Sequence, residues 1–184
     1  MATQYAPRLL TAEEFLRIDF GDQKAELDQG VISMMAGGSR RHARVSGNIL
    51  RALGNMLEGG PCAPYGSDMA IKTRADSVRF PDVSVLCGKE GAEHDDDRLE
   101  ELPVAIFEVL SASTSRTDLK KKLPEYKALG SLDTIIFVDI ATERVRIVQR
   151  IGPKGWADEE HDVPFDIPLP ALGLSLPHAE IFAR

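Results

Sequence analysis

Residues Val104 to Leu110, VAIFEVL, form a continuous apolar run interrupted only by Glu108. Such a run lacks the alternation of a half-exposed strand and suits a strand covered on both faces. It therefore demands a central strand with layers packed above and below it. It also puts a carboxylate where an unpartnered charge is expensive. A fold that buries this strand must give Glu108 a nearby arginine, a backbone amide, or a site that uses its charge.

The elements around the run follow from periodicity and turn chemistry. Thr11 and Glu14 make a capping box, with Leu10 stapled onto Phe15, and predict a short helix over Ala12–Ile18. Ala25–Leu27 and Val31–Met35 read as a hairpin about Asp28-Gln29-Gly30, whose glycine suits a positive φ. A long helix is expected from His42 to Leu57, with Val45, Ile49, Leu53, Met56 and Leu57 as its apolar stripe. Its other face carries Arg41, Arg44, Asn48, Arg51 and Asn55, and Gly59-Gly60-Pro61 stops it. Strands are expected over Asp68–Thr73, Val83–Cys87 and Val104–Leu110. Leu119, Leu123, Tyr126 and Leu129 mark a helix ending at Gly130, with Pro124 inside its pattern. Thr134–Ile140 and Val145–Arg150 form a second hairpin. The Pro-rich tail from Trp156 ends in a strand near Leu174 and a helical turn over Ala179–Phe182.

That order predicts an α/β protein of the α+β kind, a mixed sheet flanked by helices. With no repeat, low-complexity segment or linker, residues 1–184 are expected to form a single domain. A chain of that length builds a core without staples, so Cys62 and Cys87, 25 positions apart, read as packing residues of a reduced cytoplasmic protein. No apolar run reaches the roughly 18 residues of a membrane span. The start, MATQYAPRLL, lacks a basic region followed by an apolar one, so secretion is not expected.

The net charge of −7 and pI near 5.1 exclude a chain that coats nucleic acid by bulk charge. Docking through a local patch stays open, because Arg40, Arg41 and Arg44 cluster, as do Arg116 and Lys120 to Lys122. The acidic stretch from Glu90 to Glu101 reads as a solvated loop. Within it, His94 beside Asp95, Asp96 and Asp97 suits hydration better than a metal site.

Phosphate-loop, dinucleotide, zincin and nucleophile-elbow motifs are absent. The informative residues are carboxylates attached to strands. Pro81 cannot donate to a central ladder and marks the start of a strand, which puts Asp82 at its mouth. Alone, Asp82 reads equally well as a turn residue. If its strand neighbours that of Glu108, the two carboxylates converge. Paired carboxylates are stable together mainly around a hard cation, and oxygen-only ligation points to Mg²⁺ or Mn²⁺.

The ordered pattern Glu26-Leu27 with Gly30, His42, Pro81-Asp82-Val83-Ser84-Val85, Phe107-Glu108-Val109-Leu110-Ser111 with Ser113-Thr114, then Asp118, Lys122 and Tyr126 resembles one family. It is similar to the Uma-two restriction-endonuclease family, within the PD-(D/E)XK nuclease superfamily. The resemblance implies a restriction-endonuclease-like core and a Mg²⁺- or Mn²⁺-dependent endonuclease cutting phosphodiester bonds in nucleic acid, DNA first, by metal-activated water. It implies Asp82 and Glu108 as paired metal ligands, the Val109 carbonyl completing the inner shell, and Glu26 as the additional acid. Where the superfamily carries a lysine, two residues after Glu108, this chain has Leu110, so the resemblance implies Lys122 of the next helix as the catalytic lysine. Lys122 reads otherwise as one member of a solvated lysine run. His42 suits either a scissile-phosphate contact or a local helix hydrogen bond. Arg41, Arg44 and Asn48 are candidate backbone-phosphate contacts, and Tyr126 reads as core. A homodimer is expected for cutting both strands at two-fold sites. The rival reading is a nuclease fold that binds nucleic acid or a protein partner without cutting.

Overall fold

The computed structural model describes residues 8–88, 98–110, 116–162 and 164–184, with side chains 116–118 left aside. Its centre is a six-stranded mixed sheet ordered β11-β10-β9-β8-β6-β3. These strands are β3 (Cys62–Gly66), β6 (Val83–Cys87), β8 (Pro103–Leu110), β9 (Thr134–Asp139), β10 (Arg144–Arg150) and β11 (Trp156–His161). The VAIFEVL run is the heart of β8, antiparallel to β6 on one side and parallel to β9 on the other.

Alternation along β8 sorts its side chains between two cores. Ala105, Phe107 and Val109 face α2 (Arg40–Leu57), where Val45, Ile49 and Leu53 close the first core. Met56, expected in that stripe, is 41% exposed, while Leu57 beside it packs against the core. Ile106 joins Tyr126 of α3 (Arg116–Ala128), and Leu129 just past that helix, in the second. Pro124 sits within α3 without ending it.

A five-stranded sheet, β2-β1-β5-β4-β7, lies beyond α3. It comprises β1 (Ala25–Asp28), β2 (Val31–Met34), β4 (Ala70–Arg74), β5 (Ser77–Arg79) and β7 (Leu99–Glu100), with α1 (Ala12–Phe15) packed on it. The β1–β2 turn has the expected chemistry: Gln29 and Gly30 have φ of +50° and +79°. A Cβ on Gly30 would also stand 2.5 Å from Leu9 Cβ, so the position needs glycine twice over. The C-terminal elements are β12 (Ile167–Leu169), a 3₁₀ turn, β13 (Leu174–Leu176) and α4 (His178–Ile181), which cover α2. Among the described residues no helix is long and apolar enough to cross a membrane.

Two expectations are corrected. Cys62 and Cys87 face each other in the β3–β6 register and are joined by a disulfide. Spacing alone hid the pair because β-sheet register, not sequence separation, brings them together. Closing a loop of 25 positions, the bond is expected to contribute about 3 kcal/mol, measurable as a lower guanidinium midpoint after reduction. The acidic stretch is not solvated throughout: Glu100 is buried on β7, while Glu101 is exposed and pairs with Lys72 at 3.1 Å. Residues 89–97, including His94 and its aspartates, lie outside the described residues.

Candidate active site

Strand register places the first two carboxylates. Val83 stands opposite Phe107, so Asp82, one residue earlier, comes level with Glu108. Asp82 Oδ2 accepts the Val109 N–H at 2.7 Å, which fixes the carboxylate against the central strand. Its Oδ1 lies 3.3 Å from His42 Nε2, in the first turn of α2. Ser39 caps that turn through the His42 N–H at 3.2 Å. A Cβ on Gly38 would sit 2.7 Å from His42 Nδ1, so glycine there lets the chain pass beside the ring. The hydrogen bond to Asp82 raises the proton affinity of His42, against the opposing effect of burial.

Glu108 points to the α3 side and is buried. Its Oε1 accepts the Tyr126 hydroxyl at 2.6 Å and faces Lys122 Nζ at 3.4 Å. Burial pushes the Glu108 carboxyl up to about 7; Lys122 and Tyr126 pull it down, Asp82 and Glu26 push it up. Burial and the neighbouring Glu108 charge raise the Tyr126 hydroxyl well above its ordinary range, so it stays a neutral donor.

Glu26 enters from β1 in the other sheet. Its Oε1 accepts from Lys122 Nζ at 3.0 Å and from the Phe80 N–H at 3.2 Å. Lys122 thus bridges Glu26 and Glu108, and it alone of the Lys120–Lys122 run is buried. Lys121 remains exposed and reaches Asp28 at 3.0 Å.

The structure adds a pair that sequence reading missed. Arg79, at the end of β5, is buried and grips Glu125 of α3 through Nε and Nη2, each at 2.8 Å. It also reaches Asp28 at 2.8 Å and Glu26 at 3.4 Å, while Thr73 donates to Glu125 at 3.0 Å. The available signal was Glu125 between Lys122 and Tyr126, one polar stripe on a helix that must face the core. Tyr126, expected in the core, is buried, and its hydroxyl is also part of this network.

Glu26, His42, Asp82, Glu108, Val109 and Lys122 all line one pocket of about 300 Å³. Leu110, at the position of the superfamily lysine, lines it too. Arg41, Arg44 and Asn48 do not. Arg41 is exposed and pairs with Glu143 at 2.9 Å, and Arg44 is exposed. Asn48 Nδ2 instead donates to the carbonyls of Ile181 at 3.1 Å and Ala183 at 2.8 Å, which ties α4 to α2. Its amide is committed to packing and unsuited to gripping phosphate. Asn48→Ala should therefore cost about 1 kcal/mol in denaturant melts, and nucleic-acid affinity should stay unchanged. Ser111, Ser113 and Thr114 lie outside the described residues.

The donor set suits a hard cation: three carboxylates, two of them with backbone amides already fixing one oxygen, converge from three chain segments. Among the described residues no group of three or more histidines, cysteines, aspartates or glutamates stands close enough together, as the side chains lie, to hold a metal ion. Lys122 Nζ stands between two of the carboxylates and supplies positive charge there.

A central strand bearing one acid, a neighbouring strand opening on another and a helix supplying lysine define a protein of the restriction-endonuclease-like fold. A crystal structure from Anabaena variabilis ATCC 29413, described as a "putative nuclease belonging to DUF820", superposes with a TM-score of 0.78 at 18% identity, covering 95% of this chain and 98% of that one. The chain belongs to the Uma2 family, described as "Putative restriction endonuclease", whose model matches residues 12–179. Two relatives from Synechocystis sp. are similar over most of their lengths. "Uncharacterized protein sll1609" is 29% identical over 81% of this chain and 85% of its own. "Uncharacterized protein slr1290" is 27% identical over 90% and 87%. Family and fold together support a nuclease role.

Proposed function

We propose that the chain is an endonuclease dependent on Mg²⁺ or Mn²⁺, hydrolysing phosphodiester bonds in DNA. The observation that carries this reading is the meeting of Asp82, Glu108, Glu26 and Lys122 in one pocket. The three carboxylates and the Val109 carbonyl would hold the cation. Bound there, it supplies Lewis-acid neutralisation of charge on the phosphate. Lys122 Nζ donates to a phosphoryl oxygen as that charge grows, and Glu26 and Glu108 hold the ammonium in place. His42, anchored by Asp82, keeps a proton at the pocket wall for a phosphate or leaving-group oxygen. Arg41 and Arg44, on the exposed face of α2, serve backbone phosphates outside the pocket.

The rival is the non-cutting binding module, favoured by Leu110 in place of lysine. Calorimetric titration of Mn²⁺ and Mg²⁺ into the native protein, Asp82→Ala and Glu108→Ala separates the two. Saturable binding lost in both variants is the expected result. No binding by the native protein, with or without added DNA, would leave the binding module.

A further inference from the structure

We infer, resting on the nuclease reading of this pocket, that the strand it accepts is unpaired: a single strand, or an unpaired nucleotide within a duplex. The acting groups are sunken. Side-chain exposure is 9% for Glu26, 9% for Lys122 and 10% for Glu108, and 17% for Asp82. The pocket above them, about 300 Å³, is at the lower end of the range that holds one small ligand. In a continuous double helix, stacking and pairing pin each phosphate to the outside of a stiff rod. Enzymes whose reacting atoms lie in such a pocket draw in a nucleotide that has left the stack, or act on single strands.

The walls favour the same reading. A phosphate alone needs only the polar floor, yet the pocket is also lined by Met34, Met35, Phe80, Leu110 and Leu119. An aromatic ring and polarisable thioethers are surfaces on which any base can stack. Polar floor and apolar wall together match the phosphate and base of one nucleotide.

The test is fluorescence anisotropy with mixed-sequence 16-mers, in Ca²⁺ to hold cleavage off. The probes are single-stranded DNA, single-stranded RNA, the closed DNA duplex, and that duplex with a three-nucleotide bulge. Single strands and the bulged duplex are expected to bind at least about ten-fold tighter than the closed duplex, and the DNA and RNA arms identify the sugar. Phe80→Leu, which stays apolar but removes the ring, should weaken single-strand binding by about ten-fold. Met34→Ser, at a 51% exposed position that the fold tolerates, should weaken it too, while Met56→Ser, outside the pocket, should not. Mn²⁺ binding by calorimetry should be unchanged in all three variants.

A closed duplex bound as tightly as the single strands, or wall variants without effect, would overturn this inference and leave a metal-binding nuclease standing. A mononucleotide competing as well as a 16-mer would overturn it in favour of a small phosphoester. Failure of every nucleic acid to bind would overturn it together with the nuclease reading.

Discussion

At pH 8, without added metal, Glu108→Gln is expected to be more stable than the native protein by about 2–3 kcal/mol, and to lose that advantage by pH 4. Burial raises the Glu108 carboxyl from its ordinary 4.5 to about 7. The unfolded chain therefore releases this proton near 4.5 and the folded chain only near 7. Below 4.5 both states hold the proton and the full stability is present. As pH climbs from 4.5 to 7 that contribution is lost, and above 7 the folded protein carries an ionised carboxylate in a poorly hydrated place. Each tenfold displacement of proton affinity is about 1.4 kcal/mol, so the full loss is on the order of 3 kcal/mol. Glutamine resembles the protonated acid and does not titrate. Guanidinium melts of both proteins from pH 4 to 8 read the effect as the difference between the two profiles, in which groups remote from Glu108 cancel. Parallel profiles would show that Lys122 and Tyr126 already offset the cost of the charge.

A site residue that destabilises the empty protein is retained for what it does when the site is filled. On the metal-binding proposal, Mn²⁺ should raise the native melting temperature at pH 8 and leave that of Glu108→Gln nearly unmoved. The penalty and the function then belong to the same carboxylate.

The sequence announced this carboxylate because it broke a pattern. Glu108 interrupts an apolar strand, and Asp82 follows a proline at a strand mouth; both are local signals, and β6 and β8 fall where periodicity put them. The long helix and both hairpins were equally legible from stripes and turns. β11 was not, because Trp156–His161 is polar and held by pairing to β10, including the bidentate Arg146–Asp158 contact at 2.7 and 2.8 Å, with little help from burial. The short strands β5, β7 and β12 have too few residues to show a period. Glu26 and Lys122 carried no local mark and came only through resemblance. Arg79 and Glu125 were invisible because their meaning lies in each other, across 46 positions and two elements. Asn48 shared a polar helix face with the arginines, and only the tertiary position of α4 shows what it binds.

Lys122→Ala should lower phosphodiester cleavage by on the order of 10²–10³-fold while leaving Mn²⁺ binding intact or tighter. The two effects have opposite signs for one reason. Lys122 Nζ lies 3.0 Å from Glu26 and 3.4 Å from Glu108, so its charge competes with a cation for the same carboxylates. Removing it frees those oxygens and also removes the donor proposed for the phosphoryl oxygen. A ligand such as Asp82 should behave differently, losing binding and cleavage together, which separates the roles by calorimetry alongside a cleavage assay. Adding Leu110→Lys to Lys122→Ala tests whether the lysine can act from either element. Leu110 follows Glu108 by two positions in β8, so both project to the same face, and its side chain lines the same pocket. Recovery of at least about ten-fold in rate is expected, since a lysine there restores a donor beside the acids. If Lys122→Ala cuts at the native rate, the lysine only balances buried charge. The chemistry would then rest on the carboxylates and His42 alone.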